Sequence, residues 1–372
     1  MNSREQNENK SSGLKILTLS KRWHHHTKSG GYDRLKDEIG SFNIHPKPKQ
    51  NYFFSDRIRR RVLRKLMPSV TDVNRYRLKD LSAEIRTLIS VNRYKADVLH
   101  ALYGEDQLNI LLRYRERLKC AMVASYHLPV ESFFMQKIVK EDVYKKLSVL
   151  DAAIVMSNSM ISDYEKWVGE GKVFFVPHGI DTDIFFPNHV EKSRNHHSLK
   201  ILTVGGHGRD WQSLKTIIYF FRDNNNVKFK AVSPKKIKKM FKDLPKLKVL
   251  TGISEAQLIE EYRAADVVLL PVTYATANNS LLEALACGTP VISTNTGGIP
   301  DYLDSKSGWL LPPGDITEAV NLISNLIERR EQIIKKEAEA RIKALKYDWK
   351  EITGQIREVY QNAFDNWNKK EY

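Results

Sequence analysis

Residues 266–301 read DVVLLPVTYATANNSLLEALACGTPVISTNTGGIPD, and the rest of the chain is organised around them. Val267, Val268, Leu269 and Leu270 make an apolar run between Asp266 and Pro271, the pattern of a parallel strand buried on both faces. A polar loop follows. Leu281, Leu282, Leu285 and Ala286 then recur at helical spacing, and Gly288 can take the left-handed conformation that ends a helix. Val291 and Ile292 begin another strand, and Gly297 with Gly298 another turn. In open parallel sheets, ligands sit where such loops leave the carboxyl ends of the strands. Asn278, Asn279, Ser280 and Leu281 open the helix, so their backbone N–H groups offer an anion site. Glu283 falls on the first turn, within reach of the same ligand. A molecule carrying both phosphate and hydroxyl groups fits this arrangement.

The 372 residues suffice for two domains of ordinary size, and 41% hydrophobic residues supply a substantial core. No apolar run reaches the roughly eighteen residues of a membrane span. The start, MNSREQNENKSSG, is polar and predicts neither a signal peptide nor a membrane helix. Cys120 and Cys287 lie in apolar surroundings without metal or disulfide spacing. The expected location is cytoplasmic.

The net charge of +16 is unevenly spread: residues 41–95 hold 14 Lys and Arg against 4 Asp and Glu. Arg57, Arg59, Arg60, Arg61, Arg64 and Lys65 alternate with Ile58, Val62, Leu63, Leu66 and Met67 at roughly helical spacing. Three readings stand side by side. They are a solvated helix on its own domain, contact with an anionic membrane surface or lipid-linked acceptor through 57–67, and nucleic-acid binding. Since no recognised nucleic-acid-binding fold accompanies the charge, nucleic acid is not the expected partner.

In chain order, residues 14–19 form the first strand. Ser29-Gly30-Gly31 then leads into a helix, and a strand, glycine turn and helix can cradle phosphate. His24, His25 and His26 are consecutive, so their side chains diverge, and no Cys or carboxylate stands at ligand spacing; no metal is expected. Residues 96–100 and 120–125 read as buried strands, with His127 just past the carboxyl end of the second. His100 is a weaker candidate for the cleft. Residues 151–156 make a further strand, capped into a helix by Ser157. The polar stretch 189–198 is the best linker. The strand 199–204 and the turn Gly205-Gly206-His207-Gly208 then repeat the opening grammar, with Asp210 capping the next helix. Arg209 sits beyond that turn. A guanidinium grips a diphosphate with paired charge-assisted hydrogen bonds of about 1.5–3 kcal/mol each. An exposed helix dipole adds only about 0.3–1 kcal/mol. Ser254 with Gln257, and Asp315 with Glu318, form capping boxes.

The segment LLEALACGTPVISTNTGGIPDYL, residues 281–303, closely resembles the donor-binding segment of retaining glycosyltransferases of the GT-B fold, family 4 type (glycosyl transferases group 1). Residues 172–186 and 308–315 resemble the same family's domain ends. The resemblance implies an α/β chain of two Rossmann-like domains facing across a cleft, with a C-terminal helix crossing back. The implied divisions are 1–188 (acceptor-binding, with a basic insert at 41–95), a linker at 189–198, 199–350 (nucleotide-sugar-binding), and a returning helix at 351–372.

It also implies roles. Glu283 holds the ribose hydroxyls of a nucleotide-diphosphate sugar, and His127 lies beside the transferred sugar. Gly30, Gly31 and Gly206 face the cleft. Pro177, His178, Gly179 and Asp181 shape its floor or make a rigid interdomain turn. The family's usual Arg and Lys fall on Gly206 and Trp211 in an ungapped alignment, so Arg209 and Lys215 are the substitutes. A second Glu usual in the family is Ala275 here. The implied activity is metal-independent, retaining transfer to a glycan or lipid-linked hydroxyl, with a UDP-sugar favoured over a GDP-sugar and no separate cofactor. A nucleotide-sugar epimerase or hydrolase, and a non-catalytic sugar- or membrane-binding protein, are the alternatives. The expected location includes the inner face of a membrane.

Overall fold

A computed structural model describes residues 13–22, 29–46, 61, 77–130, 147–188, 198–242, 244 and 247–371. The first lobe is a six-stranded sheet of β1 (Ile16–Leu19), β2 (Phe42–Ile44), β3 (Val98–Ala101), β4 (Ala121–Tyr126), β5 (Ala152–Val155) and β6 (Val173–Phe175). The second holds β7 (Leu199–Val204), β8 (Val227–Val232), β9 (Lys248–Leu250), β10 (Val267–Leu270), β11 (Val291–Thr294) and β12 (Gly308–Leu311). The orders are β2-β1-β3-β4-β5-β6 and β9-β8-β7-β10-β11-β12, with every pair parallel. Strands β1, β3, β4, β5, β10 and β11 are buried along their whole length, which is why they read as unbroken apolar runs.

Helices of two turns or more cover the sheets: α1 (Leu78–Tyr94), α2 (Ile161–Val168), α3 (Trp211–Phe220), α4 (Glu255–Ala264), α5 (Asn279–Ala286), α6 (Ile316–Glu328), α7 (Glu331–Leu345) and α8 (Trp349–Glu371). Asp210, Ser254 and Asp315 accept from the amides of Ser213, Gln257 and Glu318, as their spacing predicts. Strand order reverses between β1 and β3 and again between β7 and β10. These are the two places where a doubly wound sheet opens a crevice at its carboxyl edge.

The chain crosses between lobes twice, side by side. The Ile180 amide donates to Tyr347 O at 2.8 Å, the Trp349 amide to Ile180 O at 3.2 Å, and Thr182 binds the Asp348 carboxylate. Any side chain at Gly179 would collide with the Trp349 ring. Residues 177–181 therefore build the crossing, the rigid-turn reading of this loop. From there α8 runs back over the first sheet, burying Ile352, Ile356, Val359, Tyr360 and Ala363. The architecture is the one implied by the resemblance.

Two elements fall inside the stretch read as a basic insert: β2 and α1 are regular parts of the first lobe. Residues 57–67 other than Arg61, His24 to His26 and the linker 189–197 lie outside the described residues. Among the described residues no helix is long and apolar enough to cross a membrane.

Candidate active site

The carboxyl end of β7 turns through Gly205, whose φ of 106° suits glycine, and carries Arg209 back across it. A Cβ on Gly205 would stand 2.7 Å from the Arg209 guanidinium, whereas one on Gly206 would meet only the Pro234 ring. Arg209 is held in a fixed fan: Nε donates to Val204 O at 2.8 Å, and Nη2 to Asn278 Oδ1 at 3.3 Å. Burial lowers its pKa to about 10, opposed by Tyr262 and Glu283 nearby, so it stays a cation at neutral pH.

Asn278 is the N-cap of α5, and its Oδ1 also accepts from the Leu281 amide at 3.3 Å. The Leu281 and Leu282 amides both turn back to Asn278 O, and the Leu281 side chain is core. Among the described residues the first-turn amides of Asn279 and Ser280 have no backbone acceptor, which leaves them open to an anion. The arginine and the helix end thus meet on one residue.

Glu283, 5% exposed, accepts from the Tyr262 hydroxyl at 2.8 Å, and that oxygen is bonded in turn by Ser280. Burial pushes the Glu283 carboxyl up to about 7; Tyr262 and Arg209 pull it down, and Glu255 pushes it further up. Lys215 lies half-buried on the second turn of α3.

The first lobe comes to this group from three directions. Ser29 donates its amide and hydroxyl to Glu255, at the start of α4, both at 2.9 Å. Thr276, two residues before the N-cap of α5, donates to the carbonyl of His127 at 2.6 Å. Asn158 donates its amide and side chain to Asp301 at 2.9 and 2.8 Å. Gly31, at φ 104°, turns the chain into Tyr32, whose buried ring meets His127 edge-on at 4.8 Å. On its other side Tyr103 stacks on His127 at 4.6 Å. The His127 amide donates to Glu105, whose Oε1 lies 3.5 Å from Nδ1. Neither ring nitrogen of His127 has a hydrogen-bond partner among the described residues. The imidazole is thus clamped between two rings, with Nδ1 facing Glu105 and Nε2 keeping its hydrogen-bonding capacity.

Gly30, Gly31, His127, Arg209, Asn278, Asn279, Ser280, Leu281 and Glu283 therefore gather at one junction. His100 does not join them. Its Nδ1 and Nε2 are both bonded, to Tyr360 at 2.7 Å and Ser125 at 2.8 Å, and burial lowers its pKa to about 3. It pins α8 to the sheet. Sequence reasoning missed Tyr262, Thr276 and Glu255 as members of the site; of their surroundings only the Ser254 cap next to Glu255 was legible.

Residues 185–329 match the family described as glycosyl transferases group 1. The sulfoquinovosyl transferase SQD2 of Arabidopsis thaliana is 36% identical over 142 residues, which is 36% of this chain and 27% of that protein. The chain spans only 25% to 56% of the length of the first curated relatives it matches. Among solved structures, sucrose-phosphate synthase from Thermosynechococcus elongatus superposes with a TM-score of 0.70 at 18% identity, covering 94% of this chain and 99% of that one. Anabaena Alr3699/HepE in complex with UDP and glucose gives 0.67 at 16% identity, covering 94% and 99%. The fold is GT-B.

Proposed function

We propose that this chain is a retaining, metal-independent glycosyltransferase of family 4 type that moves a sugar from a nucleotide-diphosphate donor to an acceptor hydroxyl. The observation that carries the reading is the convergence of Arg209, Asn278 and Glu283 on the first turn of α5, joined through Thr276 to His127. The guanidinium and the amides of Asn279 and Ser280 take the diphosphate, where negative charge builds as the sugar leaves. Stabilising that charge with donors already in place is the largest catalytic contribution expected here. The carboxylate of Glu283 accepts from the ribose hydroxyls. His127 contacts the sugar near the reacting carbon, from the opposite lobe. Gly30, Gly31 and Gly206 let backbone approach the donor, and Lys215 is the second cation of the diphosphate site.

The complex of the Anabaena neighbour with UDP and glucose supports a UDP-sugar as donor, ahead of a GDP-sugar. The acceptor, a glycan or lipid-linked hydroxyl, falls to the first lobe. The basic run 57–67 is proposed to meet an anionic membrane surface on the cytoplasmic side. The divisions 1–188, 189–198, 199–350 and 351–372 belong to the same reading.

Ala275 favours a second reading. Its carbonyl accepts from the Gly298 amide at 2.7 Å and would collide with any side chain at Gly297, while its own side chain is only a methyl. Without the carboxylate usual there, the chain could bind donor and not transfer it. Thermal-shift measurement against UDP-, GDP- and ADP-sugars tests the binding claim, because any ligand held between the lobes must stabilise them. No shift with any of the three rejects the proposal. A shift without nucleotide release across a broad acceptor panel selects the non-catalytic reading, and release of free sugar without acceptor selects a hydrolase.

A further inference from the structure

Residues 228–248 carry nine lysines and a single acidic residue, a concentration unrelated to the basic run near the start of the chain. They lie on the outer edge of the second sheet, across β8, the short helix Lys235–Lys238, the 3-10 turn Lys239–Phe241 and β9. Ile237 and Phe241, four apart, are buried under this edge, so the residues between and beside them point outward. Lys228, Lys235, Lys238, Lys239, Lys242 and Lys248 are all exposed, and among the described residues none is within ion-pair distance of a carboxylate. Lys230, by contrast, is spent on Glu261. Met240 stands exposed among them. Six like charges on one short edge repel each other, and an anionic surface relieves that repulsion.

The ridge has a defined place. Ser29, after β1, meets Glu255, after β9, while Asn158, after β5, meets Asp301, after β11. The β1–β2 side of the first lobe therefore faces the β8–β9 side of the second. The ridge thus borders the β8–β9 end of the interlobe junction.

We propose that the lysine ridge of the second lobe docks on an anionic lipid bilayer. The chemistry favours a bilayer over nucleic acid. Residues 234–250 offer ammonium point charges and one exposed apolar tip, with no arginine fork and no exposed aromatic ring on which a base could stack. The proposal concerns residues outside the donor site and does not depend on it.

The test is co-sedimentation of the full chain with vesicles of phosphatidylcholine alone or mixed with phosphatidylglycerol. Binding should require phosphatidylglycerol and weaken as salt shortens the Debye length from about 10 Å at 0.1 M to about 3 Å at 1 M. Each lysine brought to the surface contributes about fivefold in affinity, so Lys235→Glu, Lys238→Glu, Lys239→Glu and Lys242→Glu together should weaken binding by more than about 100-fold. The same set made Lys→Gln should give a smaller loss in the same direction. Both variants should keep the parent's urea unfolding midpoint, which shows that they fold. The loss should persist when Arg59, Arg60, Arg61 and Arg64 are already Gln, since the ridge is a separate contact. Unchanged sedimentation of the reversed variant overturns the proposal. So does a parent chain that fails to sediment, or one that binds duplex or single-stranded DNA through these lysines more tightly than vesicles.

Discussion

Glu255 of the second lobe accepts two hydrogen bonds from Ser29 of the first, and the same carboxylate is the neighbouring charge that helps raise Glu283. Contact between the lobes and the proton affinity of Glu283 are thus coupled through one side chain. Burial, aided by Glu255, sets the Glu283 carboxyl at about 7 against an ordinary 4.5. A carboxyl raised in this way favours the folded state below its ordinary value, and that contribution disappears as pH rises through about 7. In the proposed role, ribose hydroxyls donate to the ionised form. UDP affinity, followed by titration calorimetry, should therefore rise as pH climbs through that value. Glu255→Gln should move the rise to lower pH, and Glu283→Gln should flatten it. A parent profile that is already flat removes Glu283 from the ribose.

Gly205 and Gly206 are adjacent yet should behave differently. Alanine at Gly205 combines a strained φ of 106° with a methyl 2.7 Å from the Arg209 guanidinium. Urea unfolding should show a loss of about 1–3 kcal/mol, with UDP binding at least about tenfold weaker. Alanine at Gly206 presses only on the Pro234 ring, and its effect on UDP should be smaller. Equal effects would mean that the arginine fan is not what the turn protects.

On the proposed reading His127 meets the sugar and not the nucleotide, so its contribution should appear only when a sugar is attached. The parent should bind a UDP-sugar more tightly than UDP, and His127→Ala should erase that increment while leaving UDP affinity within about threefold. An increment that survives the substitution places the sugar elsewhere.

His100 is a contrasting histidine. Replacing it by Ala strands Tyr360 and Ser125 in the core and should cost at least about 2 kcal/mol in urea unfolding, with no change in UDP affinity. Because burial holds its folded pKa near 3 against an ordinary 6.5, its contribution is complete above the ordinary value and is lost as pH falls toward 3. His100→Gln should make the acid limb of the stability curve shallower.

The parts of the molecule readable in the sequence are those with local causes. Strands buried on both faces appear as apolar runs, and caps appear as Ser, Asp or Asn one turn from a partner. β2 escaped because three residues, Phe42, Asn43 and Ile44, with an exposed first position, make no run. α1 was absorbed into a charge count, although Leu81, Thr87 and Val91 bury one face of it. Gly205, Tyr262 and Thr276 act through partners 4, 21 and 149 residues away, and Glu255 through one 226 residues away. Only the first of these separations is within reach of a pattern. His100 and His127 look alike in sequence, each at a strand's carboxyl end. Only the fold shows that one spends both nitrogens and the other neither.

Titration of UDP into the chain and into Arg209→Ala is the most direct measurement. The guanidinium is asked to supply charge-assisted hydrogen bonds of about 1.5–3 kcal/mol, so UDP should bind the variant between about tenfold and more than 100-fold more weakly. An affinity equal to the parent's would place the diphosphate away from Arg209 and the first turn of α5, and the account of this site would be wrong.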